Sequence, residues 1–184
     1  MIKIALIGTS CSGKTTTAYE LVARLRKSGY HAEGNTSSDR IYPFAQEKLN
    51  VLHEAQCYVI LQHAFLETRA AVRDDVDIII SDRSVLDFFA YYDYCFKDRQ
   101  NTAYFKSLKL FVFEWIKTYD LIFYLPPLPW VNDNKRPSDE FRMGVDNVIK
   151  SYISELDTII KIENSIESAE FIDNYIRKYI NGKD

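Results

Sequence analysis

The chain is poor in the residues that usually announce a special architecture. Of 184 residues, three are cysteine, two methionine, two tryptophan, six glycine and five proline. Cys11, Cys57 and Cys95 are far apart, form no Cys-x-x-Cys and have no histidine at metal-ligand spacing. That pattern excludes a disulfide framework and points to thiols in a reducing compartment. So little glycine and proline excludes collagen-like and low-complexity chains. No apolar run approaches the ~20 residues of a membrane span. The opening MIKIALIG carries one charge and a short apolar run, unlike a secretory leader. These absences lead us to expect a soluble, cytoplasmic protein with no membrane partner. Basic residues are not in excess either: 23 Lys and Arg face 26 Asp and Glu, for a net charge of −3. A general nucleic-acid binder would show the opposite balance.

What is present is an ordinary globular composition, 47% hydrophobic and 27% charged, rich in Tyr (13) and Phe (11). The length fits a single domain with a substantial core, and no repeat or linker interrupts it. Apolar runs alternate with helical patterns. IKIALI reads as a strand buried on both faces and bounded by Gly8. KTTTAYELVARLRKSG places Ala18, Leu21, Val22 and Leu25 at helical spacing, with basic residues in the last turn and Gly29 as a stop. YHAEG reads as a short strand, residues 43–75 as two helices breaking near Asn50, and DIIISDR as a strand. Residues 85–96 and 103–119 read as helices, and DLIFYL as a strand. A proline-rich loop then covers 126–141, followed by a helix from Arg142, the strand TIIKIE and a closing helix. Strand and helix in alternation specify an α/β fold: a parallel five-stranded sheet with helices on both faces. Ligand sites in such folds gather at the C-terminal strand ends, where GTSCSGKT, DRS and PPLPW all fall.

GTSCSGKT carries the strongest chemistry. Gly8, four residues, then Gly13, Lys14 and Thr15 form a phosphate-binding loop between a buried strand and an amphipathic helix. Glycines let consecutive N–H groups curl around an anion, and the helix dipole behind them favours negative charge. Gly8, Ser10, Cys11, Ser12, Gly13, Lys14, Thr15 and Thr16 are therefore the candidate ATP-binding residues. Lys14 would reach the β- and γ-phosphates and the Thr15 hydroxyl would hold Mg²⁺. Cys11 is read as a small residue that the loop accommodates. Asp82, ending an apolar strand, is the candidate second Mg²⁺ ligand and proton acceptor, and Arg83 a candidate phosphate clamp. Arg136, in a loop with prolines at both ends, is a candidate lid cation over the transferring group; Lys135 and Arg142 are weaker ones. Candidate acceptor-binding residues are Glu33, Asp39, Arg40, Gln56 and Arg142, and between Glu33 and Asp39 the sequence does not choose a base. His53 and His63 sit off any defensible metal spacing and are read as structural.

DRSVLDFFAYYDY resembles the Asp-Arg-Ser/Tyr segment and following Ala-Tyr helix of thymidylate and deoxynucleoside kinases. The phosphate loop, HEAQ at 53–56 and DLIFYLPPLPWVNDNKR are similar to nicotinamide riboside kinase domains and related kinase-like ATPases. Asn134 stands where that resemblance leads one to expect a glycine, and EGNTSSDRIY is longer and more polar than its counterpart. The resemblance implies the P-loop kinase three-layer fold, a lid around 126–142, ATP and Mg²⁺ as cofactors, and a homodimer paired through helices at 85–118. Three functions fit: a kinase for a small nucleoside or nucleoside monophosphate, a kinase for a hydroxyl on a modified base in DNA, and a nucleotide-dependent regulator or ATPase. Compact size and the lid favour the first, net charge disfavours the second, and no switch loop marks the third.

Overall fold

The computed structural model describes residues 1–35, 52–130, 138–163 and 167–182. In chain order the elements are β1 (Ile2–Ile7), α1 (Lys14–Lys27), β2 (Ala32–Asn35), α2 (His53–Ala71), β3 (Ile78–Asp82), α3 (Val85–Cys95), a 3₁₀ turn at Lys97–Arg99, α4 (Ala103–Ile116), β4 (Leu121–Tyr124), α5 (Asp139–Ile153), β5 (Ile159–Lys161) and α6 (Ser168–Asn181). The five strands form one parallel sheet in the order β2-β3-β1-β4-β5. The fold class expected from the alternation is the one observed. α5 begins at Asp139, three residues before the sequence pattern starts it. The Ser138 hydroxyl accepts the Phe141 N–H (3.2 Å), and Asp139 and Glu140 sit in the first turn, where the helix dipole favours acids. The first of the two helices expected around Asn50 lies outside the described residues.

Alternation along the strands divides the core in two. Ile4 and Leu6 of β1, Ile78 and Ile80 of β3 and Phe123 of β4 face α1 and α6. Ala5, Ile7, Ile122 and Tyr124 face the larger cluster built with α2, α3, α4 and α5. Lys3 belongs by alternation to that second face and is only 6% exposed. A lone ammonium there would be prohibitive. Its Nζ instead lies 2.7 Å from Glu67 Oε2, donates to Thr118 Oγ1 at 2.8 Å, and sits over the Trp115 and Tyr119 rings at 4.7 and 4.2 Å. Glu67 is fully buried and accepts from Ser81 Oγ, Tyr119 OH and Trp115 Nε1, each at 2.8 Å. Burial alone would push its carboxyl up, yet the hydrogen bonds and charges of His63 and Lys3 hold it down at about 2. Burial, followed by the Glu67 charge, pushes the Tyr119 phenol well above its ordinary value, so it stays a donor.

Glu67 therefore contributes stability that is present above its unfolded value of 4.5 and is lost as pH falls from there toward about 2. The full depression is worth about 3 kcal/mol. Urea denaturation should show wild-type stability dropping across that window, and dropping less in the Lys3→Met/Glu67→Leu double variant. Lys3→Met alone should cost about 3 kcal/mol at neutral pH, because it removes the counter-charge of a buried carboxylate.

Candidate nucleotide site

β1, β3 and β4 deliver three segments to one place. Leu6 is in register with Asp82 and with Phe123, so the chain leaves all three strands at the same level. From β1 runs the loop Gly8–Gly13. Cys11 (φ 57°) and Gly13 (φ 80°) are left-handed, the local geometry that turns successive N–H groups inward as an anion nest. A Cβ at Gly8 would run into the Leu125 carbonyl oxygen and crowd Ser12 Oγ, so the loop can pass β4 only with glycine there. Lys14 is buried (5% exposed), its Nζ donating to the Thr9 carbonyl (2.6 Å) and to Ser12 Oγ (2.9 Å) within the loop. Ser10 and Ser12 flank Cys11 there, and Thr16 follows Thr15 in the first turn of α1.

From β3 comes Asp82, 3% exposed, whose Oδ2 accepts the Thr15 hydroxyl at 2.6 Å. The two candidate Mg²⁺ ligands are thus in contact across the junction of loop and strand. A hydroxyl and a carboxylate are hard oxygen donors that suit Mg²⁺, which takes its remaining ligands from phosphates and water. Arg83 follows with φ 96°, its guanidinium carbon 5.7 Å from both the Phe88 and Tyr91 rings of α3.

Asp87 is the residue that sequence reading passed over. Fully buried, it accepts the Gly8 N–H on Oδ1 (2.7 Å), and the Ser84 N–H and hydroxyl on Oδ2 (2.7 and 2.9 Å). It closes the capping box of α3 while fixing the entrance of the phosphate loop. Burial pushes its pKa up, against the pull of the Lys14 and Arg83 charges and of its two backbone donors. The Ser-x-x-Asp spacing at 84–87 was the available signal. Tyr91 was missed as well: its hydroxyl accepts the Ser10 N–H at 3.3 Å.

A cleft beside the Thr15–Asp82 pair is lined by Thr15, Ala18, Tyr19, Gly34, Asn35 and Asp82. Among these, Asp82 is the one carboxylate. Asn35 ends β2, and its buried amide nitrogen meets no hydrogen-bond partner among the described residues. Glu33 lies elsewhere. It pairs in register with Ile79, three residues or ~10 Å before Asp82, and its carboxylate meets Arg73 at 2.8 Å and His31 at 3.7 Å. Gln56 is buried on α2. Arg142 does reach the phosphate loop, as a tie: its guanidinium engages Asp139 and the Leu128 carbonyl (2.7 Å), and its own carbonyl accepts from Thr9 Oγ1 (3.1 Å). Leu128 N–H in turn donates to the Cys11 carbonyl (2.8 Å). Asp39, Arg40, Lys135 and Arg136 lie outside the described residues.

Two variants test this construction. Gly8→Ala should fold poorly or lose nucleotide binding, because a backbone carbonyl occupies the space of the new methyl. Asp87→Ala strands three buried donors, so thermal denaturation should show a loss of about 2–5 kcal/mol. Its affinity for ATP, measured by calorimetry on the folded fraction, should fall as the loop entrance loosens.

Comparisons with known proteins agree with the fold. Among solved structures, a deoxyadenosine kinase from M. mycoides with bound dATP superposes at TM-score 0.68 and 16% identity, over 96% of this chain and 100% of that one. The same kinase with bound dCTP gives 0.66 and 15%, over 98% and 100%. NadR in complex with NR gives 0.69 and 16%, over 97% of this chain but 49% of that one, so the chain spans about half its length. A search of curated proteins finds no match. Among the described residues, no helix is long and apolar enough to cross a membrane. A family model described as an AAA domain matches residues 3–167, and the chain belongs to that family, with the fold of the P-loop nucleoside kinases.

Proposed function

We infer that the protein is an ATP- and Mg²⁺-dependent kinase acting on a small nucleoside or nucleoside monophosphate. The observation that carries this is the 2.6 Å contact between Thr15 Oγ1 and Asp82 Oδ2, beside a lysine buried in a left-handed glycine loop. Thr15 and Asp82 would hold Mg²⁺, which when bound offsets the charge of the phosphates. Lys14 neutralises the charge that spreads over the γ-phosphoryl oxygens, and the loop N–H groups orient the triphosphate. Arg83 positions the acceptor or its phosphate, and Arg136 is assigned to the lid. An acceptor oxygen bonds to the γ-phosphorus while the bond to the bridging oxygen of ADP breaks. The proton of a hydroxyl acceptor passes to Asp82, the one carboxylate among the described lining residues.

The solved relatives support a nucleoside acceptor: their descriptions name a deoxyadenosine kinase with dATP and dCTP, and NadR with NR. Asn35, with its buried amide donor at the end of β2, is assigned to the acceptor side of the cleft. Pairing of two copies through the aromatic helices α3 and α4 belongs to the same reading. A second reading, an ATPase whose nucleotide state regulates a partner, draws support from the description of the matched family as an AAA domain.

The test is ADP release from ATP·Mg²⁺ with nicotinamide riboside, each nucleoside, each monophosphate, and single- and double-stranded DNA as acceptors. One small acceptor should stimulate release by at least about a hundredfold, and Lys14→Ala should abolish the effect. Stimulation by DNA alone, weakening steeply with salt, would instead identify a polynucleotide kinase. A Lys14-dependent background that no acceptor raises would favour the ATPase.

A further inference from the structure

Arg83 is a non-glycine residue at φ 96°, a strained conformation that persists only where neighbours over-determine it. Its N–H donates to the Leu6 carbonyl of β1 at 3.1 Å. Its carbonyl lies 3.2 Å from His63 Nε2, on α2. His63 is fully buried, and the same Nε2 is 3.1 Å from Glu67 Oε1, one helical turn further on. Both neighbours are acceptors, so Nε2 carries the proton and shares it between them. The single Nε2–H is thus bifurcated between the Glu67 carboxylate and the Arg83 carbonyl, so the contact with Glu67 fixes the imidazole where it grips the Arg83 peptide.

Glu67 is itself fixed by Lys3 of β1, Ser81 of β3, Trp115 in the last turn of α4 and Tyr119 just beyond it. A buried ion pair of this kind is weak evidence for stability, because well-packed apolar residues often serve as well. What apolar residues cannot supply is a donor aimed at one irregular peptide. That peptide sits between Asp82, which binds Thr15, and Ser84, which caps α3. The backbone angles of Arg83 also set the direction in which its guanidinium leaves, over the rings of Phe88 and Tyr91, and the Tyr91 hydroxyl in turn accepts the Ser10 N–H of the loop.

We propose that His63, oriented by the buried Glu67–Lys3 pair, is a positioning residue that locks the Arg83 peptide and so aims the Arg83 guanidinium at the phosphate it clamps. The role of Arg83 in this statement rests on the kinase reading; the lock on its peptide does not. His63→Phe keeps a ring beside Phe88 and removes the donor, whereas His63→Gln places an amide N–H close to where Nε2 stood.

The experiment compares wild type, both His63 variants and Arg83→Ala in two readouts. The first is the backbone amide signal of Arg83 in protein labelled with ¹⁵N-arginine, identified by its loss in Arg83→Lys. The second is kcat with the acceptor found above, beside the Kd for ATP. His63→Phe should displace or broaden the Arg83 signal and lower kcat by at least about tenfold, with the Kd for ATP changed less than about threefold. His63→Gln should restore both. An unmoved signal in His63→Phe overturns the lock, and so does a loss of kcat that follows the Kd and the melting temperature and that His63→Gln does not rescue. A displaced signal with wild-type kcat overturns the aiming role. Full activity in Arg83→Ala overturns the kinase assignment of Arg83 while leaving the signal to judge the lock. If no acceptor is found, the signal and its recovery in His63→Gln decide the lock, and the aiming role falls with the kinase reading.

Discussion

The candidate site hangs on the carboxylate of Asp87. One side chain accepts the first N–H of the phosphate loop and both donors of Ser84. It therefore holds the exit of β1 to the exit of β3. Without that clasp, the candidate phosphate loop and the segment that presents Asp82 and Arg83 would be two neighbouring turns rather than one surface. The cost of burying the carboxylate is met locally by three donors, the arrangement a low-dielectric interior demands of any polar group it admits.

Precision below the site comes from the sheet. Parallel strands with matched register bring Leu6, Asp82 and Phe123 to one level, and side chains on strand ends hold position better than those on long loops. The same sheet carries an unusual passenger, the Lys3 ammonium, paired with Glu67 and covered by two aromatic rings. That pair sits on the face opposite α1 and beneath the Asp82–Arg83 turn. Through His63 the buried network ends at the Arg83 carbonyl, so a charged cluster of the core is tied to a left-handed peptide of the site.

Much of this was legible in the chain itself. The glycine, lysine and threonine spacing of residues 8–15 and the apolar run ending in Asp82 named the two halves of the site, and strand-helix alternation named the sheet. Local patterns were sufficient there because each half is contiguous in sequence. What joins the halves was hidden, since Asp87 reaches back 79 residues to Gly8. IKIALI alone gives no sign that Lys3 is paired, because its partner Glu67 is on α2. The charge of Arg142 and its place after a proline-rich loop suggest a substrate cation, whereas its nitrogens meet Asp139 and Leu128. Charge alone does not say whether a cation faces ligand or protein. Asn35 and Tyr19, polar and aromatic residues of unremarkable spacing, join the cleft only because α1 and β2 fold against each other there.

The central claim is that Thr15 and Asp82 form one cation site for a bound nucleotide. Calorimetric titration of ATP into wild type and Thr15→Val, each with and without Mg²⁺, addresses it directly. Mg²⁺ should tighten ATP binding at least about tenfold in wild type, and this gain should largely disappear in Thr15→Val while metal-free binding is kept. An equal Mg²⁺ gain in both proteins would contradict it and remove the hydroxyl from the cation's coordination.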